Sequence, residues 1–171
     1  MKREEILLYI NCGKVYIYKQ YAKKEILLEI DTSSFFKWGE ISDVDTGIEI
    51  LEREISKNNI VSDILKPTLH VLYNDITNCD IKYLYRALLS VFNYNTINFY
   101  ALSDLVKEIK FGKDAVLYDG ESYTVFKEKI KLKDYSSLPL DYVIIGDHDK
   151  SNIHYADKDL VWNTFKSHFT K

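Results

Sequence analysis

Asp147-His148-Asp149, with His154 close behind, sets two carboxylates and two imidazoles within eight residues. These are donors suited to a divalent cation such as zinc or manganese. The same residue types also make ordinary polar turns, and no second cluster completes a ligand set. Asn11-Cys12-Gly13-Lys14 is a second place where chemistry is conceivable, as a tight turn with a cation beside it, fit for an anion. The competing reading is a plain hairpin turn with a surface lysine. Asp119-Gly120 is a comparable turn further on. Asp75 and Asp119 stand at expected strand ends, where ribonuclease-H-type nucleases gather two metal ions. That chemistry also requires an acid on the first strand, and Asn11 stands there instead. Asp31 is poorly placed to substitute for it. No nucleophile elbow, Cys–His pair or lysine-centred pattern occurs, so no catalytic residue is assigned.

The chain has 171 residues, enough for one domain or one with a small appendage. Lys and Arg number 23 and Asp and Glu 26, a formal charge of −3 spread along the chain. Nucleic-acid binding usually needs a net basic face, so none is expected. With 6 Gly and 2 Pro, no long linker is expected. Cys12 and Cys79 lack metal-ligand spacing and read as buried, reduced thiols of a cytoplasmic protein. No signal peptide is expected after Met1-Lys2-Arg3, and no segment has the ~20 apolar residues of a membrane span. The 14 Tyr fit exposed sheet faces and protein interfaces, with Tyr16, Tyr18, Tyr21, Tyr83, Tyr94 and Tyr100 as candidates.

The elements that must position these residues follow from periodicity. Ile6–Ile10 is a continuous apolar run, the mark of a strand buried on both faces. Val15–Tyr18 and Glu25–Ile30 follow as strands, with Phe35–Trp38 either extending the latter or starting a short fourth. Ile48, Leu51 and Ile55 define one face of a helix capped by Thr46. Thr68–Tyr73 is a strand, and Ile81, Leu84, Tyr85, Leu88, Val91 and Phe92 make a helical stripe after a cap at Thr77 or Asn78. Ile97–Ala101 is a strand parallel to the previous one, and Ser103 opens a short helix. Residues 115–127 read as a hairpin, residues 130–132 and 141–145 as strands, and residues 160–169 as a helix. The hairpin after Ala115 restarts the pattern of the N-terminus.

The order βββαβαβα over residues 1–112 resembles the first half of the actin-like ATPase superfamily, of the bacterial MreB, FtsA and PilM type. Ile6–Lys19 resembles that family's first hairpin, Asp43–Ile55 its acidic start and first long helix, and Lys66–Leu89 its next strand and helix. The resemblance implies an α/β, ribonuclease-H-like fold with a mixed sheet in the order 3-2-1-4-5. Residues 113–171 would then be a truncated, β-rich second lobe, or an extension packed on the first, ending in a helix. It also implies a remnant nucleotide site at Asn11, Gly13, Lys14, Asp119 and Gly120. Asn11 replaces the family's phosphate-loop Asp, and Lys14 replaces its hydroxyl residue. Asn78 falls near the water-positioning acid. The Gly-rich second phosphate loop has no counterpart around Tyr118–Ser122. Glycines let backbone N–H groups approach phosphate, and the acid organises the metal.

The expectation is therefore a non-catalytic protein-binding or scaffold module with no cofactor, acting on a protein partner or by self-association. Two alternatives stand beside it. One is a nucleotide-binding relative completed by a partner chain. The other is an unrelated α/β domain with a metal at Asp147, His148 and Asp149. Leu160, Val161, Trp162, Phe165 and Phe169 form the apolar face of the C-terminal helix. Such a face can complete the core, or meet a partner or the inner face of a membrane.

Overall fold

The computed structural model describes residues 4–11, 13–37, 39–61, 66–76, 81–109, 114–118, 121–134, 136, 138, 142–145, 155–156 and 159–170. The first sheet is built on β1 (Glu5–Asn11), whose central residues Ile6–Ile10 are all buried. Alternation sends Ile6, Leu8 and Ile10 to one face and Leu7 and Tyr9 to the other. Around it lie β2 (Lys14–Lys19), β3 (Lys24–Glu29), β6 (Thr68–Tyr73) and β7 (Thr96–Ala101). The order is β3-β2-β1-β6-β7. β1, β2 and β3 pair antiparallel, while β6 and β7 run parallel to β1. This is the 3-2-1-4-5 sheet that the resemblance implied.

One face of that sheet is covered by α1 (Val44–Lys57), α2 (Lys82–Leu88) and the 3-10 turn Leu89–Phe92. β4 (Phe36–Lys37) and β5 (Glu40–Ile41) form a small hairpin before α1. The cap of α1 is Asp43, not Thr46 as expected. Its carboxylate accepts the Thr46 N–H at 3.0 Å and the Thr46 hydroxyl at 2.9 Å. Those bonds hold the Asp43 carboxyl below its ordinary value. Thr77, Asn78 and Cys79 lie outside the described residues.

The short helix α3 (Leu102–Glu108) begins one residue before Ser103, which does not cap it. Asp75, just beyond β6, accepts the Ser103 N–H at 2.9 Å and also its hydroxyl. An acid from the neighbouring strand end thus supplies the missing cap.

The second sheet contains β8 (Asp114–Tyr118), β9 (Tyr123–Val125), β10 (Ile130–Leu132), β11 (Tyr142–Ile145) and β12 (Tyr155–Ala156). Its order is β10-β9-β8-β11-β12. Again the first three strands are antiparallel and the last two parallel to the first. The second sheet therefore repeats the first, 3-2-1-4-5, in miniature. Its two crossovers span only residues 133–141 and 146–154, against residues 30–67 and 74–95 in the first. The restart after Ala115 is thus a topological repeat. The final helix, α4 (Leu160–Ser167), returns to the first sheet.

Gly47 lets α1 pack closely against Leu88 and Phe35. A Cβ there would sit 2.6 Å from Leu88 Cδ1 and 2.9 Å from Phe35 Cδ2. Replacing Gly47 by Val is expected to cost about 1–3 kcal/mol through overpacking, read from urea denaturation. Adding Leu88→Ala should recover part of that loss, because the same contact is relieved.

Candidate functional site

Asn11 is the last residue of β1 and pairs with Lys14, the first of β2. Between them Gly13 takes φ +72°, a conformation that favours glycine. In a phosphate-binding turn the Gly13 N–H would point to the anion. Here it donates to Thr32 Oγ1 at 2.6 Å, and Thr32 is fully buried. The Thr32 carbonyl also accepts from the N–H groups of Phe35 and Phe36, at 3.0 and 2.7 Å. Ile30 N–H donates to the Gly13 carbonyl at 3.1 Å. Both backbone groups of the turn glycine are thus tied to the segment after β3. Sequence reasoning did not assign Thr32. Its signal was the run Asp31-Thr32-Ser33-Ser34, rich in residues that bond nearby backbone.

Asp119 and Gly120 lie outside the described residues, as do Asp147, His148, Asp149, His154 and Cys12. Among the described residues no group of three or more His, Cys, Asp or Glu side chains could hold a metal ion. Asp75, weighed as a strand-end metal ligand, is engaged with Ser103.

The space between the two sheets is a packed layer. Leu7, Tyr9, Tyr16 and Leu72 from the first sheet meet Ala115, Leu117 and Ile145 from the second. Leu102, Leu105 and Val106 of α3 and Val161, Trp162 and Phe165 of α4 fill the rest. An aromatic seam runs through it. Tyr9 stacks on Tyr16 at 5.8 Å between ring centroids, and Tyr16 meets Trp162 at 5.5 Å. Phe165 meets Tyr100 edge-on at 5.4 Å, and Phe169 lies 4.7 Å from His70.

α4 is also held by polar contacts along its length. Tyr16 donates its hydroxyl to Asp159 at 3.0 Å, and Gln20 Nε2 donates to the Phe169 carbonyl at 2.9 Å. Glu25 accepts from Trp162 Nε1 at 2.7 Å and from Lys166 Nζ at 2.5 Å. Burial would raise the Glu25 carboxyl, but the bonds from Lys166 and Trp162 outweigh it and leave it below its ordinary value. Val161, Trp162 and Phe165 are buried, with Leu160 and Phe169 half-buried. The apolar stripe read from the sequence thus faces the sheet.

His70 sits under the end of α4 at 8% exposure. Its Nδ1 lies 3.0 Å from the Tyr100 hydroxyl, while Nε2 is buried without a protein partner. Burial pushes the imidazole below its ordinary value, against a smaller upward pull from the Glu5 carboxylate.

The strand order defines the class of fold: a ribonuclease-H-type, actin-like sheet, present once in full and once reduced. No family model and no curated protein matches the chain. Among solved structures it is similar to MreB5 of Spiroplasma citri bound to ADP, at 9% identity and a TM-score of 0.46. That match covers 71% of this chain and 47% of the other. It is likewise similar to the ethanolamine utilization protein EutJ from Carboxydothermus hydrogenoformans, at 9% identity and a TM-score of 0.47. Here 72% of this chain and 46% of the other are covered. The chain spans about half the length of these two structures.

Two outcomes follow. Thr32→Val, which leaves the Gly13 N–H without its acceptor, should lower unfolding free energy by about 1–3 kcal/mol, with Thr32→Ser closer to the parent. The second concerns pH. The folded state resists protonating His70, so the unfolded chain takes up the proton first as pH falls through the ordinary imidazole value of 6.5. Stability should therefore drop below that pH, and the drop should end once the lower folded-state value is passed. Urea midpoints measured against pH should show this component missing in His70→Phe.

Proposed function

We propose that this chain is a non-catalytic actin-like binding or scaffold module whose nucleotide cleft has become a packed core. The observation that carries the reading is the Gly13 amide, donated to the buried Thr32 hydroxyl instead of facing an anion. Two further features support it. Asn11 stands where the resemblance calls for a metal-organising acid, and the aromatic seam occupies the layer between the sheets. A chain with a stable actin-like frame and a filled cleft works by presenting surfaces. By resemblance, its partners belong to cell-shape, division or pilus machinery. Among the described residues no helix is long and apolar enough to cross a membrane. The apolar face of α4 is committed to the sheet, which favours a protein partner over lipid as its working contact.

Thermal denaturation with and without millimolar Mg-ATP tests the reading. A ligand present at about 100 times its Kd adds about 2.7 kcal/mol to stability, a shift easily read. The expected result is an unchanged midpoint. A raised midpoint with Mg-ATP would sink the proposal in favour of a retained nucleotide site.

A further inference from the structure

The first sheet ends at β3, and no described strand pairs with its outer edge. The bond from Ile30 N–H to the Gly13 carbonyl fixes which peptide groups of this segment turn inward. In an antiparallel pair that role alternates, so Leu28, Ile26 and Lys24 also turn inward. Glu25, Leu27 and Glu29 therefore turn their N–H and C=O groups outward. Their side chains share the face that carries Tyr18, Tyr16 and Lys14. The pairing with β2 is continuous over six residues, with no bulge and no proline to blunt the edge.

Two large apolar side chains are exposed on this hairpin, Leu27 at 46% and Tyr21 at 74%. Where β3 ends, a groove of about 450 Å³ opens between it and α1. Ile30 and Ile50 lie in its wall, and Asp31, Arg53 and Lys57 line it as well. Hydrogen bonds from Ser33 hold the Asp31 carboxyl below its ordinary value, so it stays charged.

We propose that the β3 edge receives an extended segment of a protein partner as a sixth strand, one with basic residues flanking an apolar one at alternate positions. This rests on the binding-module reading and deepens it. Along the outward-turned positions β3 offers acid, apolar, acid: Glu25, which also holds Trp162 and Lys166 but keeps 47% of its side chain exposed, then Leu27 and Glu29. Directly opposed residues of a sheet interact most strongly, so the complement is basic, apolar, basic. The intervening residues of the incoming strand fall on the opposite face, that of Ile26, Leu28 and Ile30, and should be apolar. Charge also disfavours a second copy in the register centred on Leu27. Two β3 strands paired antiparallel about Leu27 would set Glu25 against Glu29 twice. Main-chain bonds would supply affinity and the alternate side chains specificity.

The probe is an end-blocked, fluorescein-labelled peptide with the core lysine–valine–leucine–valine–lysine, followed by anisotropy on the full chain. Saturable binding is expected. Methylating the central leucine amide keeps every charge but removes one main-chain donor, and should weaken binding about tenfold. Leu27→Pro removes the matching donor on the chain side, at a position where an edge strand tolerates proline, and should weaken binding similarly. Glu29→Lys, which does not touch the backbone, should weaken the lysine peptide and strengthen its glutamate counterpart. The proposal is overturned if the lysine peptide does not saturate at millimolar concentration. It is also overturned if the glutamate peptide binds the parent chain as well, or if amide methylation changes nothing. None of these results bears on Mg-ATP, so this proposal and the filled-cleft reading fail separately.

Discussion

A strand buried on both faces demands two covers, and β1 sets that demand for the whole molecule. Five consecutive apolar residues, Ile6–Ile10, send side chains alternately up and down. Each buried aliphatic side chain contributes on the order of 1.5–3 kcal/mol only if its own face is sealed. α1 and α2 seal one face with the largest cluster of the molecule. The other face is sealed jointly by α3, α4 and the second sheet. Removing any of those three would expose apolar strand surface. The second sheet's reduction is tolerable because it needs to present only a small inner face, through Ala115, Leu117 and Ile145.

The same demand explains the state of the turn beside β1. A cleft that holds a charged ligand must keep polar groups uncommitted and water-accessible. Here the layer between the sheets is aromatic, and the Gly13 amide is spent on Thr32. The residue at the end of β1 is Asn11, an uncharged amide, and the Gly13 N–H beside it is not left open. Bonding it internally avoids the cost of an unpaired buried donor. The bonded turn and the packed layer beside it are therefore two parts of one arrangement.

Much of this was legible in the residues, for definite reasons. Periodicity located β1, β2, β6 and α1 because each buries side chains in one or both core clusters, and β7 because Ile97 and Phe99 pack against one of them, which is what a hydrophobic pattern encodes. The 3-2-1-4-5 sheet order came from the family resemblance that the βββαβαβα order carried. The caps were less legible. Asp43 and Asp75 each outcompete a nearby hydroxyl residue, Thr46 or Ser103, and both hydroxyls became donors to the acids. A carboxylate is the stronger acceptor, and in the case of Asp75 it arrives from a distant strand end, which no local pattern reports. Thr32 was missed for the same reason, since it lies 19 residues from the glycine it satisfies. The repeat in the second sheet was only an echo in sequence, because its crossovers are too short to carry a helical period.

The return of α4 has a consequence for how the chain is made. The bonds of α4 and its flanking residues to β2, β3 and the turn between them join residues separated by 137 to 149 positions. During synthesis the first five-stranded sheet can assemble its hairpins and its outer helices early, since those contacts are local. The aromatic side of that sheet has only α3 over it until more than 50 further residues have left the ribosome. For that interval the nascent chain is a half-covered sheet with an open strand edge, the condition in which chains associate wrongly. The first sheet is thus complete in topology long before its second face is fully covered, and that cover comes from residues that follow β7.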